Sequence, residues 1–380
     1  MRWISLVVVA GCSSHAAQAP DAPRSGDAAA IDARGADASG CPAVTTFDPA
    51  GRTLAVGSDA PADGIFDPSY VYPSGAGAGA MADSAVPDQM TIRTHVAVSS
   101  DGGATWTLAA EANTPEAATL ASSDATECPG GTCTGNLISE VASLVFDPTD
   151  PDTSAQWKLF AHRYLVGAGV ATHYDLGTIT LQTAPGAAGP WTAPAKWIGW
   201  SSSSPYSSTG VQIDAGSLAG TADCLALTEP AAIVLPGVID LAVGCVYLAA
   251  GTPAIRIELL RSTDHAATFT SVGTLLRPAD AACLVPGGSI NAADLFVSNG
   301  TEYVAATPSD PAGYHGCLVF PIVDPSTGTV GAPVRAIAPS SGQFSGACTF
   351  ADGAGGYAID LGFLQSSVPF RIAVPGIATP

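Results

Sequence analysis

From about residue 43 to the C-terminus, apolar and polar positions alternate in short runs. No stretch carries the three-to-four-residue spacing of a long amphipathic helix. Runs rich in Val, Ile, Leu, Tyr and Thr are broken every few residues by Gly, Pro, Asp and Ser, which predicts short strands joined by tight turns. The 42 glycines and 30 prolines fit a turn-dense sheet protein. A coarse repeat emerges once the innermost apolar strand of each group is sought, at residues 66–72, 139–146, 229–235, 291–297 and 346–350. Most are followed by a turn and a second apolar strand, as at 240–248 and 302–306. Five units over about 340 residues leave about 68 residues each, room for four strands and their loops. The fifth unit is short, and a strand from residues 43–57 is expected to complete it.

The octapeptide Ser99-Ser100-Asp101-Gly102-Gly103-Ala104-Thr105-Trp106 adds a turn of specific chemistry. Asp101 can accept hydrogen bonds from the backbone of its own turn, and Gly103 can take a left-handed conformation. Thr105 and Trp106 then open a strand, where β-branched and aromatic side chains pack well. A degenerate copy runs from Ser262 to Phe269, with Asp264 in the aspartate place, Ala266 for the glycine and Phe269 for the tryptophan. This S-x-D-x-G-x-T-W pattern resembles the Asp-box of sialidase-like β-propellers, which caps the hairpin between the two outer strands of a blade. The resemblance and the repeat together predict an all-β, five-bladed propeller of four-stranded antiparallel blades; six blades of about 56 residues are the alternative.

Three acids stand at or near the starts of the first three inner strands: Asp67, Glu140 and Glu229. Inner strands of a propeller line its axis, so acids at their leading ends converge on one pocket. The placing resembles the five-bladed glycoside hydrolases of the arabinanase, xylosidase and invertase-like families. These carry Asp-Pro at the start of the first blade, an acid in the second, and Glu before a small residue or Pro in the third. That resemblance implies Asp67, in Phe66-Asp67-Pro68, as base or nucleophile. It implies Glu229, in Thr228-Glu229-Pro230, as general acid, with Glu140 positioning or tuning it. Glycoside hydrolysis needs one carboxyl protonated to release the leaving oxygen while another stays ionised. A third acid raises the first one's pKa by like-charge repulsion. The chain departs from those families in having Glu where the middle acid is normally Asp. Asp-Pro is also a common turn starter, recurring at 48–49, 147–148, 150–151, 310–311 and 324–325.

Flat rings with one polar edge suit stacking on sugars. Trp191, Trp197, Trp200 and Tyr206 surround the polar run 201–205, with Trp200 and Tyr206 the platform candidates and Trp191 and Trp197 read as packing between blades. Tyr70 and Arg163 complete the expected substrate-binding set. His162 and His173 lack the spacing of a metal motif. Asp147, Asp150 and Asp152 form an acidic loop that lacks the EF-hand pattern and reads as a solvated turn. No metal and no nucleotide cofactor is indicated, because no phosphate-cradling glycine motif opens a helix.

The N-terminus reads Met1-Arg2, a mostly apolar run to Ala10, then Gly11-Cys12, and Val9-Ala10-Gly11-Cys12 looks like a bacterial lipobox. Residues 1–11 are thus expected to be a signal peptide and 12–40 a lipidated Cys12 with a disordered tether, poor in large apolar residues. Residues 41–380 would be the propeller. Of nine cysteines, eight remain beyond Cys12, an even number that in an exported chain suggests disulfides. Eight cysteines allow on the order of a hundred pairings. Cys128 with Cys133 stands out as a local pair, zinc being its rival. The net charge of −20, with only Lys158 and Lys196 as lysines, argues against a nucleic-acid partner. The expectation is an exported monomer, lipid-anchored at the outer membrane or cell surface, that hydrolyses or recognises a glycan. The alternative is a non-catalytic surface propeller that binds a protein or polysaccharide, since this fold hosts both roles.

Overall fold

The computed structural model describes residues 40–380 apart from 59–60, 74–76, 89–90, 123–127, 129, 168–171, 201–209, 341–344, 352–355, 362–369 and 379. Cys12, the tether and Tyr206 therefore lie outside the described residues. Strands dominate, in five sheets that follow one another along the chain. The inner strands are Ile65–Val71, Thr132–Phe146, Ala226–Leu235, Ser289–Ser298 and Ser345–Ala351. Each touches the next, and the fifth returns to the first, which closes the ring of a β-propeller. Among the described residues no helix is long and apolar enough to cross a membrane.

The third sheet shows the plain antiparallel pattern, Ala226–Leu235, Val238–Ala249, Thr252–Ser262 and Thr270–Leu276, paired in order. Its second strand is buried over most of its length, because sheets stack on both faces. The same two-sided burial makes Gly79–Ala85 of the first sheet wholly buried, with small residues that let its neighbours approach. The second sheet departs from four strands. Its inner strand is long enough to pair with both Trp157–Gly167 and an added strand, Glu116–Ala121.

The N-terminal segment does more than complete the fifth unit. Val44–Phe47 pairs in parallel with Arg335–Pro339 of the fourth sheet. Thr53 then bridges Ala373 of the fifth sheet, and Val56–Gly57 pairs with Trp106–Asn113 of the first. One short stretch thus ties three sheets. Four disulfides are present among the described residues: Cys41–Cys283, Cys128–Cys133, Cys224–Cys245 and Cys317–Cys348. The first fastens the N-terminal segment across 242 residues, and a bond closing so long a loop removes much unfolded-state entropy.

The two octapeptide turns share one set of hydrogen bonds. Ser99 Oγ accepts from the Gly103 N–H at 2.8 Å, and Ser262 Oγ accepts from the Ala266 N–H at 2.8 Å. Asp101 accepts from Thr105 N–H and Oγ1 at 2.9 and 2.7 Å; Asp264 accepts from Thr268 N–H and Oγ1 at 2.9 and 2.6 Å. Gly103 and Ala266 both have φ in the left-handed region, at 85° and 73°. The Thr105 bonds hold the Asp101 carboxyl down to about 2. Asp101→Ala and Asp264→Ala should each lower stability by removing these bonds. Matching falls in Tm for the two variants, measured by calorimetry, would confirm that the copies are equivalent.

Candidate active site

All five inner strands bend at one equivalent point. Asp67, Val141, Glu229, Ala292 and Ala347 have φ of 51°, 49°, 48°, 41° and 46°. At each of these points the register to the second strand slips, as in a β-bulge. Left-handed conformations of this kind are costly for residues other than glycine, so the surrounding structure must hold them. A belt of hydrogen bonds between sheets does so. Two residues past the bulge, Ser69 Oγ accepts from the Leu144 N–H (2.9 Å), and Ser143 Oγ accepts from the Ala232 N–H (2.7 Å). At the same place Asp294 Oδ2 accepts from the Phe350 N–H (2.9 Å), and Thr349 Oγ1 donates to the Pro68 carbonyl (2.5 Å). Ala231 holds this place in the third strand and offers no side-chain acceptor. There Glu229 Oε2 instead accepts from the Ala292 N–H at 2.7 Å. The belt encloses an axial cavity of about 30 Å³ lined by residues of all five inner strands.

The bulges give the three sequence-identified acids a common frame. Asp67 and Glu229 hold the same bulge position, and Glu140 stands one residue earlier, in phase with Phe66 and Thr228. Glu140 is 2% exposed. Its Oε1 accepts from the Tyr164 hydroxyl at 2.7 Å, while Oε2 is buried without a hydrogen-bond partner among the described residues. Burial pushes its carboxyl up to about 7; the Tyr164 bond opposes this and the charge of Glu229 adds to it. Burial also raises Glu229, against the bonds from Ala292 and from the Tyr314 hydroxyl at 3.3 Å. Desolvation lifts the Tyr314 hydroxyl well above its ordinary value, with further upward pushes from the charges of Glu229, Asp67 and Glu140. One tyrosine is thus raised by the charges of all three acids, and it bonds one of them, Glu229, directly.

Aromatic and imidazole rings back this cluster. His162, Tyr164 and Tyr174 lie with ring centroids 4.6–5.7 Å apart. His162 stands opposite Glu140 across the ladder, and burial pushes its imidazole down to about 3, so it is neutral. On the axial side Asp294 is partly exposed, and desolvation among the inner strands raises its carboxyl to about 7. Sequence reasoning noted His162 only as a residue of unsuitable metal spacing, and passed over Tyr164, Tyr174, Tyr314 and Asp294 as site residues. The usable signal was the shared phase of Ser69, Ser143, Asp294 and Thr349, which the bulge makes visible.

The expected sugar-binding residues fall elsewhere. Trp200 is 6% exposed and packs in the core beside Ile198, Ala215 and Leu218, so its faces are taken up by apolar contacts. The Tyr70 ring packs 5.6 Å from that of Trp106. Alternation along its strand turns Arg163 to the face opposite His162 and Tyr164. There its guanidinium donates to Glu116 Oε2 at 2.7 Å and Ser139 Oγ at 3.1 Å. Trp197 and Trp191 pack as expected, their indoles donating to the carbonyls of Ala266 and Ala187.

Among the described residues three groups bring potential metal donors within 4.8 Å of one another: Cys128, Cys133 and His173; Asp223, Cys224 and Cys245; and Asp147, Asp150 and His265. The sulfurs of the first two are disulfide-bonded and do not present thiolates. In the third, Asp147 accepts from Thr149 and pairs with His265 Nδ1 at 2.7 Å, while Asp150 pairs with Lys158. This acidic loop differs from the solvated turn expected, because Asp147 and Asp150 are buried, with His265 and Lys158 facing them. Asp152 alone of the three stays exposed.

The pH dependence of Glu140 is separable from that of its neighbours. In the unfolded chain it ionises near 4.5 and in the fold near 7, so only the folded state keeps that proton between these values. Its contribution to stability therefore falls as pH rises from about 4.5 to 7 and is flat above. His162 tilts the other way, neutral in the fold but protonated when unfolded from about pH 3 to 6.5. The difference between Glu140→Gln and the parent isolates the carboxyl. That difference in Tm should rise in favour of the variant by roughly 2–5 °C between pH 4.5 and 7.5. A flat difference would show that Glu140 is not desolvated.

No protein-family model and no curated protein matches the chain. Among solved structures it is similar to a thermostable family-43 glycoside hydrolase, over 88% of this chain and 95% of that one, with 12% identity and a TM-score of 0.50. It is similar to the catalytic domain of a family-62 α-L-arabinofuranosidase of Coprinopsis cinerea over 86% and 94%, again with 12% identity and a TM-score of 0.50. A family-32 β-fructofuranosidase of Bombyx mori matches over 82% of this chain and 59% of that one, with 12% identity and a TM-score of 0.51. The chain has the β-propeller fold that these glycoside hydrolases share.

Proposed function

We propose that the protein acts on a glycan at the end of its axis where the inner strands begin, as a glycoside hydrolase. The observation that supports this reading is the shared bulge position of Asp67 and Glu229, with Glu229 bonded to Tyr314, whose hydroxyl is raised by the charges of all three acids. In this reading Glu229, more accessible than Glu140 and raised by burial, gives its proton to the leaving oxygen. Asp67 is the base or nucleophile. Glu140 sits behind them, and its charge and proton are coupled to those of Glu229. The fold of the similar structures supports the substrate class, and the acids supply the chemistry. Display on a lipid at Cys12, outside the inner membrane, is the accompanying proposal and rests on Val9-Ala10-Gly11-Cys12.

The second reading is a glycan- or protein-binding propeller without turnover. It is favoured by the hydrogen bond from Ala292 to Glu229, which gives that carboxylate a place in the belt between sheets. An assay of the protein on aryl-glycosides and on plant and bacterial polysaccharides, beside Glu229→Gln, decides between them. Turnover by the parent that the variant loses is the expected result. Folded parent protein that turns over none of these substrates would leave the binding reading.

A further inference from the structure

Trp106, the last residue of the first octapeptide turn, is 3% exposed, and its indole Nε1 is buried without a hydrogen-bond partner among the described residues. The second turn repeats the same hydrogen bonds but ends in Phe269, 4% exposed, whose ring needs no acceptor. Packing at this position is therefore met by an apolar ring. A tryptophan there carries a desolvated donor that the fold does not require.

The Trp106 side lines a cavity of about 350 Å³, more than ten times the axial one and of the size that takes small ligands. Its wall is formed by the segment carrying Arg52 and Thr53, by Tyr70, by Thr105 and Trp106, and by Val374. This is the place where the N-terminal segment crosses from the fifth sheet to the first, joined to them by Thr53 and Val56. Among the described residues Arg52 is its one charged lining residue and no carboxylate lines it, in a chain of net charge −20. The Arg52 side chain is exposed and makes no hydrogen bond or ion pair among the described residues.

We propose that this cavity is a second binding site, distinct from the axial acids, for a sugar unit that bears a carboxylate. The planar guanidinium of Arg52 pairs with the carboxylate, in the two-pronged geometry that suits it. The Tyr70 and Trp106 rings offer an apolar wall for the C–H face of the sugar. A neutral sugar would leave Arg52 without a partner, and a bare anion would leave the apolar wall of Tyr70 and Trp106 uncovered. The site is independent of any turnover at Glu229.

Sodium glucuronate is the probe, with glucose and inorganic phosphate as controls, and the tryptophan indole N–H resonances of the full chain are the readout. Trp106→Phe, which copies the Phe269 turn, assigns the Trp106 signal by its disappearance and should match or exceed the parent in Tm. Glucuronate should shift that signal saturably, with glucose and phosphate at least tenfold weaker. Arg52→Gln should weaken glucuronate binding at least tenfold, and Glu229→Gln should leave it within twofold. The proposal fails if glucuronate leaves the Trp106 signal unmoved or if glucose or phosphate binds as tightly. It fails equally if Arg52→Gln changes nothing, or if Glu229→Gln abolishes the shift.

Discussion

Glu229→Gln is expected to lower kcat by roughly 10²–10⁴ on substrates with a poor leaving group, while Tm moves by about 2 °C or less. The substitution is nearly isosteric. Glutamine still offers an oxygen to the Ala292 N–H, and its amide can face the Tyr314 hydroxyl, so the link between the third and fourth sheets persists. What disappears is the transferable proton. An aryl-glycoside whose phenol is strongly acidic departs without protonation, so its turnover should fall far less than that of a sugar leaving group. Asp67→Asn, by contrast, should lose both substrates alike, because base or nucleophile is needed whatever departs. The parent's rate should decline on the alkaline side as the raised Glu229 carboxyl ionises, and the variant should lose that limb. Equal losses on both leaving groups in Glu229→Gln would remove its assignment as the acid.

How much of this site could be read in the chain depends on what a strand pattern can carry. Alternation and turn residues placed all five inner strands, because each is a buried run bounded by Gly, Pro or Asp. The octapeptides marked two outer hairpins through side chains that bond within four residues of themselves. Local chemistry of that kind survives in a sequence. Phase around the axis does not, since a bulge inserts one residue and shifts everything after it. That is why Glu140 looked equivalent to Asp67 and Glu229 although its true counterparts are Phe66 and Thr228.

Partners distant in sequence were harder still. Tyr314 lies in a two-residue strand and reaches Glu229 across 85 positions, a meeting that only the closed ring arranges. Trp200 looked like a platform because it precedes a polar run, yet the short helix Ala215–Ser217 and Leu218 pack around it. Arg163 was expected in the substrate-binding set, but its guanidinium is taken up by Glu116 and Ser139. The added strand Glu116–Ala121, invisible as part of a four-stranded unit, brings Glu116 to it. Composition reported the even cysteine number, but their pairing needed the fold.

Asp150→Asn should destabilise the protein by about 3–5 kcal/mol, the largest stability effect expected of any single substitution considered. Lys158 is 1% exposed and Asp150 8%, and their Nζ and Oδ2 lie 2.5 Å apart. The ammonium also donates to the Ala155 carbonyl at 2.6 Å, and Asp150 Oδ1 accepts from the Asp152 N–H at 2.9 Å. Taking two charges from water is costly, and the pair balances that cost only while both members are present. Asparagine leaves the Lys158 charge buried with a neutral partner, so Tm should fall by roughly 6 °C or more. The loss should persist at high salt, because a buried pair is little screened. Nearby, Asp147 holds His265 of the third sheet's turn, so loosening this loop also loosens a contact between two sheets. The double variant Asp150→Asn with Lys158→Met removes the orphaned charge and should recover most of the loss. If the double variant is no more stable than Asp150→Asn alone, the carboxylate matters for the loop it shapes rather than for the charge it faces.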